Sequence, residues 1–160
     1  METNQDNIKE VIRVKGCFRL NIVDPDGTIV GDSGWHTNLV TNLGFNQFLV
    51  SALGSISGSK YVSHLALGTG GAPAASDTSL AGEVGTRTAL TAATSSGSKT
   101  LRNTATFAAG WHTSSSAFNI SNIGLFNSSS GGTLFAGNTY ASSSCASNQA
   151  VNTTYDIIFA

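Results

Sequence analysis

The chain has 160 residues, the size of one domain with a core of its own. Only 11% of them are charged, with a formal net charge of −1, against about 25% charged in ordinary soluble chains. No cluster of Lys and Arg is available to neutralise phosphates, which excludes nucleic acid as the expected partner. No apolar run reaches the roughly 18 residues of a membrane-spanning helix, and Met1-Glu2-Thr3-Asn4-Gln5-Asp6-Asn7 lacks the basic and apolar regions of a secretory leader.

Residues 1–9 are polar and end in Ile8-Lys9. They read as an N-terminal extended arm that orders only against a partner, followed by a single domain over 10–160. From Glu10 the pattern becomes period two: Ile12, Val14, Phe18, Leu20 and Ile22 alternate with polar residues, the mark of a half-buried strand. Gly16 falls on its buried side, a sign of either a bulge or a close backbone approach. Asp24-Pro25-Asp26-Gly27 is a turn with proline and glycine in their preferred places, and Thr28-Ile29-Val30 returns as the partner strand.

Asn42 to Leu53 predicts the one short helix, capped by Thr41 or Asn42 and packing through Phe45, Phe48, Leu49, Ala52 and Leu53. Strands are then expected over 61–67, as a pair over 86–94 and 100–108, and over 118–126 with a bulge near Ser121-Asn122. A short strand over 132–136 and a last one over 151–159 complete the set, with a Ser-rich loop between them from Asn138 to Gln149. About eight short strands with turns rich in Gly and Ser predict an all-β fold, a β-sandwich or jelly roll.

Ser, Thr and Gly together form roughly a third of the chain, well above ordinary usage. Hydroxyls thus stand on the wet faces where Lys and Glu usually stand, and sheet edges lose the charges that guard against strand association. That predicts an assembly component, a homo-oligomer with a trimer favoured, whose edges neighbouring copies cover.

Sites with chemistry are few. Gly68-Thr69-Gly70-Gly71 lacks the Lys-Ser or Lys-Thr of a phosphate loop and runs on into Ala72-Pro73. His36, His64 and His112 have no metal-ligand spacing, Cys17 and Cys145 have no CxxC partner, and no Gly-x-Ser-x-Gly elbow is present. Asp77 and Glu83 lie in one loop region and Asp156 on the last strand, a thin basis for the two facing carboxylates of a glycoside hydrolase. We therefore expect no enzyme, no metal and no cofactor. The echo Gly34-Trp35-His36-Thr37 and Gly110-Trp111-His112-Thr113 supplies candidate partner-binding residues in Trp35, His36, Trp111 and His112, beside Ile8 and Lys9 of the arm. The same tryptophans, with Tyr61, Tyr140 and Tyr155, are the aromatics a sugar platform would use, although core or interface packing is the expected use of most of them.

A family resemblance enters with residues 61–92. The segment holds Leu67-Gly68-Thr69-Gly70, Ala72-Pro73, Ser76-Asp77-Thr78-Ser79-Leu80, Glu83-Val84 and Arg87 in that order. It resembles a segment common in tailed-bacteriophage structural proteins. Asn38 to Gly44, Asn122 to Asn127, Gly131 to Ala136 and Asn152 to Phe159 resemble further pieces of those proteins in the same order. The resemblance implies a non-enzymatic virion structural protein, assembled in the host bacterial cytoplasm, most simply a capsid decoration (cement) protein that binds the major capsid protein. A tail-fibre or baseplate subunit is the alternative within that class. A carbohydrate-binding module for host glycans is the alternative outside it.

Overall fold

The computed structural model describes residues 12–160; the arm expected over 1–9, with Ile8 and Lys9, lies outside them. Over the described residues the fold is an all-β sandwich of eleven strands in two antiparallel sheets with one helical segment, all-β as the alternation predicts. The first sheet centres on β1 (Val14–Val23) and β11 (Ala150–Phe159), paired without a break from Val14 opposite Phe159 to Val23 opposite Ala150. On one flank of that pair lie β2 (Ile29–Asp32) and β3 (His36–Thr37); on the other lie β8 (Thr100–Phe107) and then β7 (Thr91–Ala93). The second sheet runs β4 (Leu39–Val40), β10 (Leu134–Cys145), β9 (Phe118–Phe126), β5 (His64–Gly68) and β6 (Glu83–Ala89).

Two corners close the sandwich. The chain leaves β1's flank at β3, passes Asn38, and joins the second sheet as β4. On the opposite side β6 passes through Leu90 into β7 and so into the first sheet. Strands that switch sheets are the usual corner of such sandwiches. The single expected strand over 86–94 is therefore two strands, one in each sheet. Covered edges follow: Asn38 donates its backbone N–H to the Gly16 carbonyl at 3.0 Å, and Thr86 donates to the Trp111 carbonyl at 3.2 Å.

The β1–β2 turn forms as expected, with Gly27 at φ +88° and its N–H on the Asp24 carbonyl at 2.9 Å. Gly16 is a site of close approach, because a Cβ there would stand 2.3 Å from the Asn38 carboxamide. That carboxamide donates to the Tyr155 hydroxyl at 2.7 Å, and so ties the corner to the core. Phe18, Leu20 and Ile22 of β1, with Phe107, Val151 and Tyr155, face Leu65, Leu67, Ile120, Leu125 and Phe135 of the second sheet. The Phe18 and Tyr155 rings stack at 5.7 Å in this core.

Three further expectations need correction. The Ser-rich stretch expected as a loop over 138–149 is largely strand, because β10 runs on to Cys145. Its alternation is hidden in small polar residues, and only Tyr140 and Cys145 declare the buried side. The register slip expected near Ser121-Asn122 is real, but the extra residues sit in β10, between Thr139 and Ser143. The helix also differs. Over Gly44–Val50 it winds with the wider π spacing, the Ser51 N–H reaching the Asn46 carbonyl, before a last α turn over Ser51–Leu53. That winding rotates the expected apolar stripe, so Phe48 is buried while Phe45, Val50 and Leu53 are exposed. Thr41 caps it, its hydroxyl accepting from the Gly44 N–H at 2.9 Å. Gly44 is needed there, since a Cβ would lie 2.2 Å from the Phe135 carbonyl oxygen.

Candidate functional site

Residues 64–89 build one structural unit. β5 and β6 form its two strands, and the 69–82 loop between them folds over the outer face of the second sheet. Leu80 on that loop packs on Ala66, Phe126 and Leu134 as a second, smaller core. Asp77 closes a turn, its carboxylate accepting from the Ala74 N–H at 2.8 Å. Asn122 of β9 anchors the loop from below, donating to the carbonyls of Gly71 and Ala81 at 3.1 and 2.9 Å.

Arg87 is the centre of this unit. Its guanidinium meets Glu83 in a two-pronged ion pair at 2.6 and 2.9 Å. It also donates to the carbonyls of Ser128 and Gly131 at 3.0 and 2.6 Å, fixing the β9–β10 turn. The same group lies 3.5 Å from the centre of the Phe126 ring, a cation–π geometry. Arg87, Glu83 and Asp77 are thus engaged in structure. Asp156 is likewise held by Arg102 at 2.9 and 2.7 Å on the outer face of the first sheet. The three carboxylates weighed as a catalytic set therefore stand apart, each with a partner of its own.

The two tryptophan echoes diverge. Both open on a left-handed glycine, Gly34 at φ +69° and Gly110 at φ +85°. Trp35 is 51% exposed, and His36 lies over Phe18 at 5.7 Å with Nε2 on the Ser33 carbonyl at 2.7 Å. Trp111 and His112 are buried, and His112 is wedged between Trp111 at 4.8 Å and Phe118 at 4.4 Å. Of these four residues Trp35 is the one most open to solvent, whereas Trp111 and His112 are closed off from it. His64 contacts Ser63 through Nδ1 at 2.8 Å, remote from both. Among the described residues no three His, Cys, Asp or Glu side chains are grouped to hold a metal ion.

Cys145 is buried and Cys17 half-buried, and burial raises both thiol pKa values. The Tyr140 and Tyr155 hydroxyls are pushed far up in the same way. Asp32 behaves oppositely: the side-chain hydrogen bond from Arg19, backed by the Gly34 N–H, holds its carboxyl down at about 2.

The outer face of the first sheet carries Thr104, Thr106, Asn152 and Thr154 around a shallow groove of about 380 Å³, the hydroxyl coat the composition predicts. Sequence reasoning missed a different surface, at the end of the sandwich beneath the helix. There Phe48, Leu49, Tyr61, Leu101, Ile157 and Phe159 line an apolar pocket of about 340 Å³. The chain bordering it leaves Val50, Leu53, Ile56 and Tyr61 at 58 to 91% exposure. The signal was in the expected helix stripe; only the π winding turned part of that stripe outward.

Comparison with protein-family models, with curated proteins and with solved structures found no match.

Proposed function

We propose that the chain is a non-enzymatic structural protein of a tailed-phage virion, a capsid decoration protein that stabilises the assembled shell by binding it. The observation that carries this reading is the fold of residues 61–92. The motif residues that resemble phage structural proteins interlock as one cover, with Pro73 buried, Leu80 in the satellite core and Arg87 joining β6 to the β9–β10 turn. Such a motif supports architecture rather than a reaction. Asp77, Glu83 and Asp156, the acids available for chemistry, are each engaged by a backbone N–H or a cation. Stabilisation would follow from mass action, because a protein that binds the assembled lattice and not the free subunits shifts assembly toward the lattice. Its partners are further copies of itself and the major capsid protein. A tail-fibre or baseplate subunit is the same class of part at another place.

Immunogold labelling of virions tests the reading: label over the heads supports decoration, label at the tail moves the protein to the fibre or baseplate, and unlabelled particles refute the virion assignment. Trp35 is the observation that keeps a glycan-binding reading in view, since it presents half its surface to solvent. It stands at the β3 edge of the first sheet, whereas the threonine groove lies toward β7 at the opposite edge. The aromatic and hydroxyl parts of a sugar site are therefore apart. Glycan-array binding abolished by Trp35→Ala, with the fold intact, would establish that second reading.

A further inference from the structure

Exposed apolar side chains gather at one end of this sandwich. The pocket of about 340 Å³ beneath the helix is lined almost wholly by carbon. Leu53 is 91% exposed and Tyr61 77% exposed on the chain that borders it. Solvent-facing apolar surface of this kind marks an interaction site. The described chain also begins here. Arg13 exchanges two backbone hydrogen bonds with Ala160, at 2.6 and 2.8 Å, directly beside Phe159 of the pocket wall. Ile12, the first described residue, is 80% exposed. The first described residues thus stand at the pocket's end of the sandwich, and residues 1–11 precede them in sequence.

The composition of those residues fits the pocket. They hold Ile8 and Val11 as branched apolar side chains, and Glu2, Asp6 and Glu10 against one cation, Lys9. Lys60 lines the pocket, its ammonium donating to the Thr133 hydroxyl at 2.7 Å. Arg13 and Lys99 are held at the same end through their backbones. An acidic segment with apolar anchors thus suits an apolar pocket with Lys60 in its wall. Direction decides whose pocket it enters. From Ile8 to Arg13 the sequence is Ile-Lys-Glu-Val-Ile-Arg, with none of the Gly, Pro, Asn or Asp that turns need. Reversal into the chain's own pocket is disfavoured, and eleven residues span up to roughly 36 Å when extended, enough to reach an adjacent molecule.

We infer that the pocket under the helix receives the N-terminal segment of a second copy of this chain, with Ile8 as its anchor. Repeated around a ring, each copy gives one arm and accepts one, a heterologous contact that closes by rotation. This deepens the assembly reading above and rests on it only in taking the chain to work as an oligomer; no capsid is needed for it to hold.

Sedimentation equilibrium of the full chain, of the chain lacking residues 2–9, and of Ile8→Asp and Leu53→Asp tests it. The full chain should associate reversibly. Each single variant should weaken association about tenfold or more, the loss expected when one buried aliphatic contact is replaced by a charge. Leu53 is exposed, so its change spares the fold. In a Cys17→Ser background, Ile8→Cys with Leu53→Cys should give disulfide-linked dimers and larger species under mild oxidation. A monomeric full chain, unchanged association after the deletion, cross-links only within one chain, or no cross-links would each overturn the inference. The two readings fail separately: unlabelled virions with intact arm exchange refute only the virion assignment, and decorated heads with arm-independent association refute only the exchange.

Discussion

Removing the Arg87 side chain should destabilise this protein more than any other single charge change, and the size of the loss follows from what the guanidinium leaves behind. Its side chain is only 6% exposed and that of its partner Glu83 is 27% exposed. Arg87→Ala strands the carboxylate, leaves the Ser128 and Gly131 carbonyls without their donor and uncovers the Phe126 ring. Breaking a buried pair costs 3–5 kcal/mol, so the partial exposure of Glu83 argues for the lower end, about 3 kcal/mol. In a domain of this size that is a fall of roughly 6–12 °C in Tm. Urea unfolding followed by tryptophan fluorescence measures it, since Trp111 is buried beside Phe107 at 5.3 Å. Arg87→Met with Glu83→Gln should recover much of the loss, because the double change removes the stranded charge while keeping a long side chain over Phe126. A loss below about 1 kcal/mol for Arg87→Ala, the range of an exposed pair, would refute the reasoning. So would a double variant as unstable as the single one.

Gly16→Ala should cost about 1–3 kcal/mol through overpacking against Asn38, and Asn38→Ala should restore part of it; an unaffected Gly16→Ala would show that the corner yields. Asp32, held at about 2 in the fold by Arg19, lies below the ordinary carboxylate value of about 4. Its pairing therefore stabilises the fold fully above pH about 4 and is lost as pH falls toward 2, so Arg19→Ala and the parent should converge in stability at the acid end. Carboxyl NMR titration of Asp32 in the two proteins checks the direction, and a normal titration in the parent would contradict it. Cys145 is fully buried with its thiol pKa raised, so native protein should leave it unmodified by a thiol reagent that labels it at once in urea; rapid native labelling of Cys145 would show that β10 opens.

How much of this was legible before the structure depended on where the buried residues are large. β1 and β11 declare themselves, because Phe18, Leu20, Ile22, Val151, Tyr155 and Ile157 recur at period two and are all core. β8 does the same, with Ala105 and Phe107 inward and Thr104 and Thr106 outward. β10 does not, since beyond Ala136 its inward positions fall to Tyr140 and Cys145 among serines. Hydrogen bonding to β9, which no residue pattern shows, makes it a strand. The corners were equally hidden: β3 and β4 have two residues each, too short for any period. Arg87 was legible only as part of a resemblance, and its role emerges from carbonyls more than forty positions away in the chain.

Sheets coated in hydroxyls rather than charges need neighbours at their edges. The two corners alter where that need falls. β3 and β4 cover one side of the sandwich and β6 and β7 the other, so the chain shields much of its own edge. Among the described residues β2 is an exposed edge, where Ile29 and Val30 are 60% and 50% exposed and Arg19 pairs with Asp32. Asp32 thus puts a charge on this edge strand, and charge on an edge opposes pairing. The end beneath the helix offers apolar side chains instead. The physical need for a neighbour thus moves from backbone edges, which this fold largely closes, to side chains at its end. Mutating the two places separates them: charges at Ile29 and Val30 should leave association nearly intact, and a charge at Leu53 should not. If the reverse holds in sedimentation equilibrium, the copies meet edge to edge and the pocket has another use.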